Sequence, residues 1–192
     1  LSVLAFGLGV REAQIPTEGI TAISTEDIEA AERFDYRLRL LAIAKRHAHG
    51  LELRVNPAMV PNGHFLATIE DEFNAFLLDS QATGEVLLVG RGAGAMPTAN
   101  AVLSDILDVT LRQQGDYAQA ALVWKQNPIN LLPRQEIETG YYLRFPVYDK
   151  PGSIGALTSI LGNHGINIDS ASARLDPQHK TQGFVEILSR RA

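Results

Sequence analysis

One stretch constrains this chain more than any other: Gly84-Glu85-Val86-Leu87-Leu88-Val89, followed at once by Gly90-Arg91-Gly92-Ala93-Gly94-Ala95-Met96-Pro97-Thr98. The first half is apolar and branched, as a buried strand should be. Beyond the glycines, Val102, Ile106 and Val109 recur at helical spacing, and Leu103, Leu107 and Leu111 form a second stripe. Pro97 suits a first helical turn, where a missing N–H leaves nothing unpaired. The order is therefore strand, glycine loop, helix. Such a loop offers backbone N–H groups at the positive end of a helix, where a phosphate or carboxylate can sit. Alternating glycines also let a flat ring approach the backbone. A tight turn whose glycines serve packing alone accounts for the loop equally well. Gly90, Gly92 and Ala95 fit the dinucleotide fingerprint G-x-G-x-x-A. That fingerprint needs a second strand about 20 residues on, ending in an acidic residue. Here the helix runs into Gly115-Asp116-Tyr117-Ala118, which reads as a linker. A complete dinucleotide-binding unit built on this loop is excluded.

The remaining limits come from composition. The 192 residues suffice for one large or two small domains, and 45% hydrophobic against 20% charged residues points to a packed core. A net charge of −5 with no long basic run argues against nucleic acid or an anionic membrane as partner. The absence of cysteine rules out disulfides, thiolate catalysis and thiolate-bound zinc. It fits a reducing compartment. No apolar run approaches the roughly 20 residues that span a bilayer. Leu1 to Gly7 reads as the last turns of a helix closed by glycine, and the expectation is that the chain begins inside a larger protein.

Along the chain, Ser24 or Thr25 caps a helix with Asp27 in its first turn, Ile28 and Ala31 facing inward, and an end near Asp35. Arg37–Ala44 and Leu51–Val55 read as strands about a turn at His47–Gly50. Asn56-Pro57 and Pro61-Asn62-Gly63 mark loops. Phe73–Leu78 and Glu85–Val89 are two further strands. Strands grouped together with flanking helices give an α+β layer. The expected domains are residues 1–114, a linker over 115–140 in which Trp124 anchors the segment, and a second unit over 141–192. That second unit reads β-α-β-β: Tyr142–Tyr148, a turn at Asp149-Lys150-Pro151-Gly152, and a helix over Ser153–Asn163 with Ile154, Leu157 and Leu161 on one face. Strands over Ile166–Arg174 and Gly183–Leu188 follow. It is one helix and one strand short of a βαββαβ sandwich. His47 and His49 sit i, i+2 with no third ligand nearby, so no metal site is expected.

Taken together these segments resemble the bacterial homoserine dehydrogenase family with a C-terminal ACT domain. In the first unit the resemblance rests on Glu18-Gly19-Ile20, Leu40-Leu41-Ala42-Ile43-Ala44-Lys45, Arg54-Val55-Asn56-Pro57 and Val60-Pro61. It continues through His64 with Leu66-Ala67, Phe73-Asn74-Ala75, Gly90 to Gly94 and Pro97-Thr98-Ala99. In the second unit it rests on Asp149-Lys150-Pro151-Gly152 and on Ile160 to Ile168. Three positions depart from the family pattern: Asn56 where histidine is usual, Phe65 where proline is usual, and Glu72 in place of a frequent glycine.

The resemblance implies a partial mixed-sheet substrate-binding and dimerisation domain, followed by an incomplete ferredoxin-like ACT domain. It implies NAD(P)-dependent interconversion of homoserine and aspartate semialdehyde, in threonine, methionine and isoleucine synthesis, in the cytoplasm. Gly92, Ala93 and Gly94 are the implied cofactor-facing residues. Asp149, Gly152, Asn167 and Ile168 are the implied effector-binding residues, with threonine as the usual effector. The family's Rossmann fingerprint, catalytic lysine and substrate-holding acids are implied to lie upstream. No catalytic residue is therefore assigned here, Lys45 is read as a solvated strand-end lysine, and the isolated chain is expected to lack dehydrogenase activity. A homodimer or higher homo-oligomer is implied. The competing expectation is a non-catalytic amino-acid-sensing or oligomerisation module.

Overall fold

The computed structural model describes residues 1–113, 130–175 and 181–190. They divide into two compact units, residues 1–22 with 35–130, and residues 23–34 with 131–192. Trp124, the Gly115 linker segment and the Asp176–His179 loop lie outside the described residues.

The first unit opens with a short helix α1 (Ser2–Phe6), ended by Gly7 at φ 66°. Its main feature is a long hairpin, β1 (Tyr36–His47) and β2 (Gly50–Pro61), paired antiparallel from Tyr36↔Pro61 to His47↔Gly50. Asn56-Pro57 was expected to be loop but lies inside β2, opposite Leu41 and Leu40. The reason is the sheet's width. In a two-stranded sheet each strand is an edge, and proline's missing N–H can face outward there without breaking a ladder bond. Leu51, Leu53 and Val60 are buried along β2. A single parallel bridge joins Thr17 to Val55, with the Val55 N–H donating to the Pro16 carbonyl. A 3₁₀ turn over Phe65–Thr68 is capped by His64, whose Nδ1 accepts from the Leu66 N–H. Arg39 of β1 donates to the Leu66 and Ala67 carbonyls and holds the turn in place.

A second hairpin follows, β3 (Phe73–Ser80) with β4 (Gly84–Arg91), turning at Gly84 with φ 68°. The chain then enters α3 (Ala95–Gln113). Both apolar stripes of α3 lie open: Val102, Leu103, Ile106, Leu107 and Val109 are each more than half exposed.

The second unit begins with α2 (Thr25–Arg33), a helix that precedes β1 in the chain. Ser24 is its N-cap, and a full capping box joins Ser24 and Asp27. Ala30 and Ala31 are completely buried. Ile28, expected to face inward, is 47% exposed, because the buried face is the polar–alanine side carrying Asp27, Ala30, Ala31 and Arg33. The rest of the unit is β5 (Tyr142–Tyr148), α4 (Ser153–Asn163), β6 (Ile168–Leu175) and β7 (Gln182–Ser189). The three strands form an antiparallel sheet in the order β5-β7-β6, a partial ferredoxin-like arrangement. Pro146 is tolerated because β5 is an edge strand.

Leu161 of α4 packs on Val185 and Ile187 of β7, with Leu143, Phe145, Val147, Leu157, Ile166 and Ile168 around them. Ile154 is 46% exposed and stays outside this cluster, a correction to its expected place on the inner face. The helix ends in a Schellman motif: the Ile166 N–H bonds the Leu161 carbonyl, the Gly165 N–H bonds the Gly162 carbonyl, and Gly165 has φ 74°. His164 closes the same end, its Nδ1 2.9 Å from the Ile160 carbonyl. Among the described residues no helix is long and apolar enough to cross a membrane.

Candidate functional site

The glycine loop sits where β4 hands over to α3. Asn74 of β3 lies opposite Gly90 in the ladder, and the Gly92 N–H donates to the Glu72 carbonyl at 2.8 Å. A Cβ on Gly92 would collide with the Asn74 side-chain amide. Gly92 is therefore a glycine for packing, and its N–H is already committed. Glu72 also holds Arg91 at 3.2 Å, and the Arg91 guanidinium lies 5.4 Å from the centre of the Phe73 ring. The glutamate at this unusual position thus braces the loop through both its carbonyl and its carboxylate.

Gly94 is required for a different reason. Its φ of +117° is a backbone conformation that side chains rarely adopt. A Cβ there would also stand 3.4 Å from Pro97 Cδ. Arg91 to Met96 are all exposed, and α3 starts at Ala95 with no acidic residue in its first turn. An uncompensated positive helix end therefore opens directly behind Gly94. Chain contiguity brings Gly92, Ala93 and Gly94 together on an open surface. The two readings of the loop divide between residues: Gly92 serves packing, and Gly94 shapes an exposed turn at a helix N-terminus.

The second candidate lies in the sheet of the other unit. After β5 the Asp149 N–H donates to the Thr181 carbonyl at 3.0 Å. Gly152 is the N-cap of α4 with φ 90° and open space where a Cβ would be, and it has no side chain with which to cap the helix. Ser153 Oγ donates to the Tyr148 carbonyl at 2.9 Å, fixing the turn. Asn167 is exposed, and its carbonyl accepts from the Arg190 N–H at 2.9 Å. Ile168 turns toward the α4 core instead of solvent.

The topology separates these four residues. β5 and β6 both run antiparallel to β7, so they run parallel to each other. Tyr148, at the end of β5, pairs with Gln182, whereas Ile168, at the start of β6, pairs with Ser189. Asp149 and Gly152 therefore lie at one end of the sheet, and Asn167 and Ile168 at the other. One copy of the chain does not assemble the four into a single site.

Sequence reading missed a polar network in the first hairpin. Glu52 of β2 is buried at 3% exposure, with His47 Nε2 and Arg54 Nε each 2.8 Å from its carboxylate. Arg54 continues to Asn56 at 2.6 Å, and Asn56 donates to the Pro57 carbonyl. Burial pushes the Glu52 carboxyl upward, but hydrogen bonds from Arg54 and His47 outweigh it and hold the group below its ordinary value. The period-2 spacing of Glu52, Arg54 and Asn56 was the signal available in sequence. Lys45 stands opposite Glu52 and is exposed.

These features define a class: an α+β domain ending in a glycine loop and helix, joined to a unit with the partial ferredoxin-like topology of ACT domains. The family model for homoserine dehydrogenase matches residues 1–107, and that for the ACT domain matches residues 141–189. Among curated relatives, homoserine dehydrogenase of Neisseria gonorrhoeae is 35% identical over 178 residues, covering 88% of this chain and 40% of the relative. The homoserine dehydrogenase of Synechocystis is 35% identical over 179 residues, covering 88% of this chain and 41% of the relative. A crystal structure of a homoserine dehydrogenase from Thiobacillus denitrificans superposes with a TM-score of 0.82 at 34% identity, covering all of this chain and 44% of that one. The Staphylococcus aureus enzyme at pH 7.0 shares the fold, with a TM-score of 0.62 at 23% identity. The chain belongs to the homoserine dehydrogenase family. It spans about 40% of the length of the curated relatives it matches.

Proposed function

We propose that this chain is the substrate-domain and ACT-domain portion of an NAD(P)-dependent homoserine dehydrogenase, interconverting L-homoserine and L-aspartate 4-semialdehyde in the cytoplasm. The observation that carries the proposal is Gly94: a glycine at φ +117°, exposed, at the mouth of a 19-residue helix with no acid in its first turn. That is a cradle a Cβ would fill. A bound nicotinamide supplies hydride exchange with the carbinol carbon of homoserine. Gly94 keeps the wall beside it flat, Ala93 adds little bulk, and Gly92 with Asn74 and Glu72 holds the loop's shape. The open N-terminus of α3 favours an anionic group of cofactor or substrate.

Hydride transfer depends on holding donor and acceptor carbons in contact, so the loop acts by positioning. It also needs a proton acceptor for the homoserine hydroxyl, and none is assigned among these residues. The exposed apolar stripes of α3 support the same reading, because an apolar surface of that extent is normally covered by protein. The test is homoserine-dependent reduction of NAD(P)⁺ by the full-length protein and by the isolated 192-residue chain. The expected result is activity in the first and none in the second. Activity in the isolated chain overturns the division of labour, and none in the full-length protein overturns the reaction.

We further infer that the ACT-type unit binds an amino acid, threonine by family resemblance, between two copies of the chain. Gly152 leaves backbone N–H groups open toward a carboxylate, and Asp149 can take the ammonium. Asn167 and Ile168 of the same copy stand at the wrong end. A twofold axis normal to the sheet, pairing β6 edges antiparallel, carries a second copy's Asn167 to the end where Asp149 lies. β6 is an edge strand and offers its ladder groups for such pairing. Saturable threonine binding without any NADPH binding by the full-length protein favours the rival sensing module instead.

A further inference from the structure

We infer that Asn74 is a positioning residue for the cofactor: its side-chain amide pairs with the carboxamide of the nicotinamide and sets how the ring lies against the glycine loop. The inference rests on the cofactor reading of Gly94, and its geometry comes from the β3–β4 hairpin and the loop alone. From Phe73 to Leu78 every residue of β3 except Asn74 is apolar. Side chains two apart share a face of a strand, so Asn74 stands with Phe76 and Leu78, across from Gly90, Leu88 and Val86. That face carries one amide, at the end where the glycine loop begins.

Asparagine is a poor strand former, because its amide competes for backbone groups. Hydrogen bonding within the hairpin does not explain its place: among the described residues no protein group is bonded to the Asn74 side chain, and the residue is exposed. Volume does not explain it either. Nδ2, Cγ and Oδ1 of Asn74 all crowd the space that a Gly92 side chain would need. Leucine has the same branching and would occupy that space at a lower cost in strand propensity. What the amide adds over leucine is a donor end and an acceptor end beside Gly92.

A primary carboxamide is the complement of such a group: its NH₂ donates to Oδ1 while Nδ2 donates to its carbonyl oxygen. Nicotinamide carries a carboxamide on the ring carbon next to the one that exchanges hydride. Holding the carboxamide therefore fixes which face of the ring meets the substrate. Gly92 and Gly94 are two residues apart, at most about 7 Å of chain, so the amide and the proposed ring wall are neighbours. The bond from the Gly92 N–H to the Glu72 carbonyl keeps the loop in register with the strand that bears Asn74. The work is then divided three ways. Gly92 makes room for the amide, the amide holds the carboxamide, and Gly94 leaves the wall flat for the ring.

The test is calorimetric binding of NAD(P)⁺ and of its 3-acetylpyridine analogue to the full-length protein. The analogue keeps the carbonyl and carries methyl in place of the NH₂, so it loses the bond to Asn74 Oδ1 and changes nothing else in the nucleotide. The expected result is that the parent binds the analogue roughly three- to tenfold more weakly. Asn74→Leu, which keeps the branching, is expected to weaken NAD(P)⁺ by a similar factor and to lose the preference between the two nucleotides. Asn74→Ala serves if the leucine variant fails to fold. The control Arg91→Gln, which loses the pair with Glu72 but keeps the amide, is expected to retain the parent's preference. The parent's ratio of affinities persisting in the Asn74 variants overturns the inference, because a residue that only packs against Gly92 would shift both nucleotides alike. Equal binding of the two nucleotides by the parent also overturns it, and leaves the cofactor reading standing. Failure of the parent to bind either nucleotide overturns both.

Discussion

At the scale of single residues, two glycines two positions apart in a helix-initiating loop have different jobs. Gly92 is set by the Asn74 amide beside it, and Gly94 by its backbone angle. The expected outcome of Gly94→Val is therefore twofold. Backbone strain at such an angle costs about 1–3 kcal/mol, seen as a lower urea midpoint. The added branch also occupies the proposed cofactor wall, lowering kcat/KM of the full-length enzyme by roughly tenfold or more, as mispositioning does. An unchanged kcat/KM would remove Gly94 from the site. Glu52 makes a second residue-scale case. Its carboxyl is held below the ordinary value of 4.5 despite burial, by Arg54 and His47. A group depressed in the folded state contributes stability above its unfolded pKa, and that contribution is lost as pH falls below about 4.5 through the folded value. The expected outcome is that Glu52→Gln costs about 1–3 kcal/mol near neutrality and flattens the acid limb of stability against pH. Urea unfolding at several pH values checks this, and parallel acid limbs for the two proteins would refute it.

At the scale of elements, what sequence makes legible is what local chemistry decides. The Ser24–Asp27 box, the Gly165 stop, the hairpin turn at Gly84 and the β-α-β-β order all rest on contacts within a few residues, and each stands where those residues put it. The misjudged features are tertiary. Pro57 reads as a loop marker, yet an edge position lets it stay in β2. Ile28 reads as the inner face of α2 because it is the apolar residue in an amphipathic stretch. The face it lost to is polar, since the sheet it covers offers Arg144, Arg174 and a buried Glu186. Charge complementarity across more than a hundred residues leaves no local pattern to read. The expected outcome of Ile28→Ala is accordingly small, within about 0.5 kcal/mol as for surface sites. Ile187→Ala, at the fully buried centre of the α4 cluster, is expected to cost about 2–5 kcal/mol. Thermal melts of the two variants side by side distinguish an inner from an outer helix face.

At the scale of the whole molecule, the parallel course of β5 and β6 decides how an amino-acid site can be built. The family resemblance puts the effector at an interface of paired ACT units, and the four residues it implies flank one helix, α4. A helix that crosses back over a sheet returns the chain to the end it started from, so the two flanks lie a full strand apart. A site using both must draw on two copies, and that makes a sharp expectation. In a twofold pair, one site holds the first copy's Asp149 with the second copy's Asn167, and the other site the reverse. Asp149→Asn and Asn167→Ala are each expected to abolish threonine binding when every subunit carries the same change. When the two variants are co-assembled, one site of each mixed pair carries both lesions and the other carries neither. Threonine binding should then return, with a stoichiometry near one per mixed pair and the parent's affinity, measured by calorimetry on heterodimers purified with two tags. If each site lay within a single copy, every copy in the mixture would still carry a lesion, and no binding would return at any ratio.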